Sequence, residues 1–221
     1  MYRASTGEAV FGAIIVPALG FASFSLAHGL ASLIQAGPLT SHMLIHIALL
    51  NVGGLAAGLI ASTVAGGSWS TRQIAMATAL QIALLWGWHT PAAFAAAHDD
   101  QAVMTAMHIS LFVAAAWFWT AVVGAAASVR WMSIAAVLVT GKLFCLLAVL
   151  IAMSPRTLYA TLHAGHADQA TALADQQLAA LLMVVACPLT YIAAGVAIAA
   201  KWLEEIERTP AFDAVSLVRR G

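Results

Sequence analysis

Apolar positions run unbroken for long distances along this chain, and polar positions collect in the gaps between them. Six apolar stretches stand out, at 10–35, 42–64, 73–97, 103–129, 132–154 and 176–202. Each is long enough to cross a bilayer as a helix, which takes about 20 residues. None alternates with a period of two, and Ala and Leu dominate. Helices are therefore expected rather than strands, because lipid leaves every backbone group to be satisfied within its own segment. Short connections link the first five stretches, and the longest polar loop precedes the sixth. The predicted fold is all-α: a polytopic membrane bundle of six transmembrane helices, forming a single integral membrane domain over residues 1–221. The first stretch follows Arg3 and Glu8 and is longer than the apolar core of a secretory signal, so it reads as a retained helix.

Composition agrees with this pattern. Charged residues make up 8% of the chain, against about a quarter in soluble domains. Net charge is zero, which gives no case for a nucleic-acid partner; membrane lipid is the expected surrounding. The few charges are distributed unevenly. With the N-terminus in the cytoplasm, Arg3, Arg72, Arg130, Lys201, Arg208, Arg219 and Arg220 fall on the cytoplasmic side and Arg156 on the outer side. Basic residues mark cytoplasmic loops, so both termini are expected to be cytoplasmic. Asp99, Asp100, Asp168 and Asp175 sit at the outer rim. The two cysteines, Cys145 and Cys187, lie inside spans and read as packing residues. No nucleophile–base pair, phosphate-binding glycine loop or pair of catalytic acids is present, so a non-enzymatic role is expected.

This topology places all eight histidines in the outer half. His42 opens the second helix, and His46 lies on the same face about 6 Å deeper, since residues four apart stack on a helix. His108 is about 8 Å into the fourth helix, His28 about 10 Å into the first, and His89 about 12 Å into the third. Polar groups at membrane depth tend to face the bundle interior or a wet cavity. His42, His46, His89 and His108 are thus candidate metal ligands. Met104, Met107 and His108 share one helical stripe, which makes the two methionines auxiliary candidates. Met43, Met153 and Met183 also fall in the outer half. Thioether and imidazole without carboxylate or thiolate favour copper as Cu(I). The plain alternative is that each His makes only an interhelical hydrogen bond, and for His28 that reading leads.

Several other features bear on function. Pro91, within Trp86-Gly87-Trp88-His89-Thr90-Pro91, is expected to kink the third helix near His89. Lys142 lies near the middle of the fifth helix, too deep to snorkel easily, where an ionisable group is a functional candidate. Asp175 stands at the expected start of the sixth helix and suits an N-cap. His163 and His166, in the outer loop, suit either metal capture or plain solvation.

In order and spacing, His42-Met43-Leu44-Ile45-His46, Trp88-His89-Thr90-Pro91, His108 with Phe118-Trp119, Ser154-Pro155-Arg156 with Leu158-Tyr159, and Asp175-Gln176-Gln177-Leu178-Ala179 resemble the CtaG family of bacterial cytochrome c oxidase (caa-type) assembly factors. The resemblance covers roughly 41–202. It implies a bacterial inner-membrane protein that helps mature haem-copper oxidase, acting as a copper chaperone toward an oxidase subunit. It also matches His42, His46, His89 and His108 to the family's histidines, and Asp175, Gln176 and Gln177 to its last-helix signature. The chain departs from the family in having one helix before His42 where seven-helix members have more, in Ile45 where a glutamine is common, and in Met104 and Met107 where a histidine and a glutamate are often found. Other classes remain open beside this one: a bis-histidine haem protein, a copper transporter, and a scaffold whose histidines only hold helices together.

Overall fold

The computed structural model describes residues 14–64, 68–159 and 168–208. Those residues are almost entirely helical. In chain order the helices are α1 (Val16–Leu33), α2 (Pro38–Ile47), a π-helical turn (Ala48–Gly53), α3 (Gly54–Val64), α4 (Thr71–Trp88), α5 (Pro91–Asp99), α6 (Gln101–Val123), a 3-10 turn (Ala127–Val129), α7 (Arg130–Ala152) and α8 (Gln169–Arg208). Among the described residues, five segments are long and apolar enough to cross a membrane: Val16–Leu33, Pro38–Val64, Gln101–Val123, Ala127–Ala152 and Gln169–Glu207.

The third expected span, 73–97, is broken rather than kinked. α4 stops at Trp88, His89 and Thr90 leave the helix, and Pro91 starts α5. Pro91 thereby occupies a first-turn position where its missing N–H costs nothing. The Thr90 hydroxyl donates to the Gly87 carbonyl at 2.8 Å, occupying one acceptor that the break releases. At the start of α4, the Gln73 side chain accepts from the Ser70 N–H at 2.9 Å, half of a capping box.

The last helix departs from expectation in the other direction. It begins at Gln169, not at 176, and runs for 40 residues, about 60 Å. Asp175 is therefore not its cap. That role falls to Asp168, whose carboxylate accepts the Thr171 N–H at 2.7 Å; this hydrogen bond holds the Asp168 acid below the usual carboxylate range. Asp175 instead lies buried inside the helix and caps α2. Its carboxylate accepts the Leu39 N–H at 2.8 Å, the Thr40 N–H at 3.2 Å and the Thr40 hydroxyl at 2.6 Å. A Cβ on Gly37 would fall onto that carboxylate, so the residue before Pro38 has to be glycine.

Small residues set the spacing of the bundle. Gly54 and Gly58 let α3 close onto α6, and a Cβ on Gly58 would come within 2.5 Å of the Trp119 Cβ. Small residues four apart are a common way for helices to approach in lipid, where dispersion rather than water exclusion drives packing. α1 meets the bundle through Gly20, Ser23, Ala27 and Ala31, and its larger side chains, such as Phe21 and Leu26, face outward. Lys142 also lies on an exposed face, that of α7.

The two ends of the bundle differ in chemistry. At one end Arg130 pairs with Glu205 at 2.9 Å, and Trp69 exchanges backbone hydrogen bonds with Gly124 and Ala126 at 3.0 and 3.3 Å. At the other end Asp175 holds α2, and the Gln176 amide binds the segment after α7, accepting the Leu158 N–H at 2.7 Å. The histidines of α2 and α6, and His89 just after α4, lie toward this second end.

Candidate metal centre

The centre starts with how α2 begins. Pro38 and the Asp175 cap fix its first turn, so His42 and His46 follow one turn apart on a face turned into the bundle. They are 7% and 4% exposed. Their ring centroids lie 4.2 Å apart. α6 begins at Asp100, whose carboxylate accepts the Ala102 N–H at 2.7 Å, and this brings His108 to the same level two turns later. Its ring lies 5.5 Å from that of His42 and 5.2 Å from that of His46. His42, His46 and His108 each place a ring nitrogen within 4.8 Å of the others. His89, at the break after α4, stands next to them with its ring 5.6 Å from that of His46.

Hydrogen bonding sets which nitrogens face the cluster. His89 Nδ1 is 2.7 Å from the Leu85 carbonyl, and His108 Nδ1 is 3.0 Å from the Met104 carbonyl. A carbonyl only accepts, so Nδ1 carries the proton in both rings and Nε2 carries the lone pair. Fixing a ligand's tautomer through a backbone carbonyl is a recurrent feature of metal-binding histidines. His42 Nε2, both ring nitrogens of His46, His89 Nε2 and His108 Nε2 are buried without a hydrogen-bond partner. Buried polar atoms are normally satisfied, and these five stand together without a partner among the described residues; at most four of them carry a lone pair, since one nitrogen of a neutral His46 holds the proton.

The surroundings hold the cluster firmly. Phe94 meets His42 edge-on at 4.9 Å and Tyr159 at 4.4 Å. The Tyr159 hydroxyl donates to the His89 carbonyl at 2.9 Å, and burial pushes its phenol up to about 12, so it remains a donor.

Two cavities adjoin the rings. A lateral one of about 830 Å³ lies between α1, α2 and α6 and touches His42, Met104 and His108. Its wall includes the exposed side chains of Phe21, Ile109 and Val113, so it faces the side of the bundle. A small one of about 10 Å³ lies deeper and is lined by Met43, His46, His89, Met183 and Cys187 among others.

Of the residues singled out in the sequence, His42, His46 and His108 come together and His89 adjoins them. Met104 lies on the lateral cavity beside His108, while Met107 is buried in the core and lines neither cavity. His28 stacks on Phe24 at 6.3 Å on the exposed side of α1. His98 is exposed, and His163 and His166 lie outside the described residues. The sequence reading passed over Met183 and Cys187 as a pair. Their spacing of four, on one helical face, is the signal that both meet the same cavity.

The fold and the site define a helical membrane protein with a buried imidazole cluster near one end. A family model described as cytochrome c oxidase caa3 assembly factor (Caa3_CtaG) matches residues 39–205. The chain belongs to that family. No curated protein and no solved structure matches it.

Proposed function

We propose that this protein is a six-pass inner-membrane assembly factor that holds Cu(I) near its outer face and passes it to a haem-copper oxidase subunit. In this reading both termini are cytoplasmic, α4 and α5 together make the third crossing, and the protein catalyses no reaction of its own. The observation that carries the reading is the group of orphaned nitrogens on His42, His46 and His108, supplied by two helices and buried at one level.

The donor chemistry favours a monovalent ion. Three neutral imidazoles contribute no negative charge, and the nearest buried carboxylate, Asp175, is committed to capping α2. The cost of burying an uncompensated ion rises steeply with its charge, so a single positive charge fits better than two. Imidazole by itself suits several metals; the neighbouring Met43, Met104 and Met183 shift the preference toward copper. A haem ligated by two of these histidines needs a porphyrin-wide slot between their rings. The rings of His42, His46 and His108 instead form a mutual triangle with centroids 4.2–5.5 Å apart, which favours an ion over a haem.

Copper content of the purified protein tests the reading. Wild-type protein loaded with Cu(I) is expected to retain it, to show no Soret band, and to lose most of it in His46→Ala. Cells carrying His42→Ala or His46→Ala are expected to lose oxidase activity by at least tenfold. Protein that binds no copper, together with variants that support full oxidase activity, would sink the proposal.

A further inference from the structure

The small cavity below the histidines is built differently from the cluster above it. Met43 and His46 face it from α2, His89 from the end of α4, and Met183 and Cys187 from successive turns of α8. Its volume of about 10 Å³ is that of one water or one ion. Three of its lining side chains carry sulfur, and two histidines bring nitrogens that are buried without partners: His89 Nε2, and His46 with both nitrogens orphaned. His46 and His89 are each 4% exposed. A thiol alone in a membrane helix is ordinary packing. Two thioethers, a thiol and two histidine side chains lining one ion-sized space are a soft-metal donor set.

We propose that this cavity is a second Cu(I) site, held by Met43, Met183, Cys187 and His89, with His46 standing between it and the outer cluster. The inference rests on the copper reading of that outer cluster. Charge balance is met inside the cavity. Copper enters already as Cu(I), the Cys187 S–H bond breaks as the Cu–S bond forms, and the proton is released to the outer aqueous phase, so the loaded site is neutral. The π-helical turn contributes here: it carries Asn51, whose Nδ2 donates to the Cys187 Sγ at 3.6 Å. Below the cavity, its lining residue Phe144 packs on Tyr191 with ring centroids 5.4 Å apart, closing the site on that side. The two sites therefore form a short path of stepwise softer donors that begins at the outer cluster and ends at a sulfur-rich store.

The test is copper stoichiometry of the full-length protein in detergent, loaded anaerobically with Cu(I), alongside X-ray absorption at the copper edge. Wild type is expected to hold two ions per chain and show sulfur scattering. The double variant Met183→Leu/Cys187→Ser is expected to hold one ion with nitrogen scattering alone. The double variant His42→Ala/His108→Ala is expected to hold one ion with sulfur scattering. Unchanged elution volume and melting temperature of each variant establish that it is folded, and Cys187→Ser alone, a near-isosteric change, serves if the double variant is not. One ion in wild type, lost in the histidine variant and kept without change in the sulfur variant, overturns this inference and leaves the outer copper centre standing. No copper in wild type overturns both.

Discussion

Asp175 shows how a single side chain can be read correctly in kind and wrongly in place. Its chemistry is that of a helix cap, as the sequence suggests, but the helix it caps is α2, 135 residues earlier in the chain. Spacing along a sequence says what a carboxylate can do; it does not say which helix end packs against it. The consequence is specific. Asp175→Ala leaves two N–H groups at the start of α2 without a partner in a buried setting, which should cost about 2 kcal/mol. It should also loosen His42 one turn away. A lowered melting temperature in detergent together with weaker copper binding is expected, with Asp175→Asn milder on both counts. Unchanged copper affinity in Asp175→Ala would separate the cap from the centre. The histidines were legible for a different reason: an imidazole buried in an apolar helix is conspicuous wherever it falls. Met183 and Cys187 were not, because sulfur side chains pass as ordinary apolar residues until the structure places them beside orphaned nitrogens.

At the scale of elements, two interruptions shape the site, and only one was visible beforehand. Pro91 marks the break after His89, although the sequence suggested a kink where the structure has two separate helices. The π-helical turn Ala48–Gly53 leaves no sequence signature, because a wide turn is selected by the packing on either side of it. Here those constraints are plain: His42 and His46, and Gly54 and Gly58, all meet α6, although twelve residues of regular α-helix would turn Gly54 about 120° away from His42. The inserted residue reconciles the two faces, and the Trp119 indole donates to the Leu50 carbonyl inside the turn at 3.0 Å. Deleting Val52, whose side chain is 54% exposed, should restore α-helical register and rotate the His42–His46 face by about 100° relative to α3. The variant is expected to keep its helical circular dichroism while losing most of its copper. Wild-type copper content in that variant would show that the turn is incidental to the centre.

The whole molecule was the most legible scale, since long apolar runs and segregated charge fix a helical membrane bundle from composition and pattern alone. How open it is from end to end was not legible, because that depends on which side chains meet in the middle. Gln81 and Lys142 are the polar side chains that a route toward the other end would use. In the structure Gln81 donates to the Tyr191 hydroxyl at 2.8 Å, and Lys142 lies on the outside of α7 rather than along an interior path. Phe118, Trp119, Phe144 and Tyr191 are all essentially buried and pack with ring centroids 5.1–5.9 Å apart, forming an aromatic layer between the small cavity and the Arg130–Glu205 end. An ion crossing that layer would have to shed every ligand in an apolar medium, at a cost of several kcal/mol or more. On the copper proposal, this layer predicts that the ion enters and leaves at the same end. Reconstituted in liposomes with Cu(I) outside, it should bind copper at the membrane but fill the lumen no faster than protein-free vesicles do. Trp119→Ala, which opens the layer, is the informative control. Lumenal copper that rises with the wild-type protein, and falls to the protein-free rate in His46→Ala, would mean that the layer opens and that the molecule is a transporter.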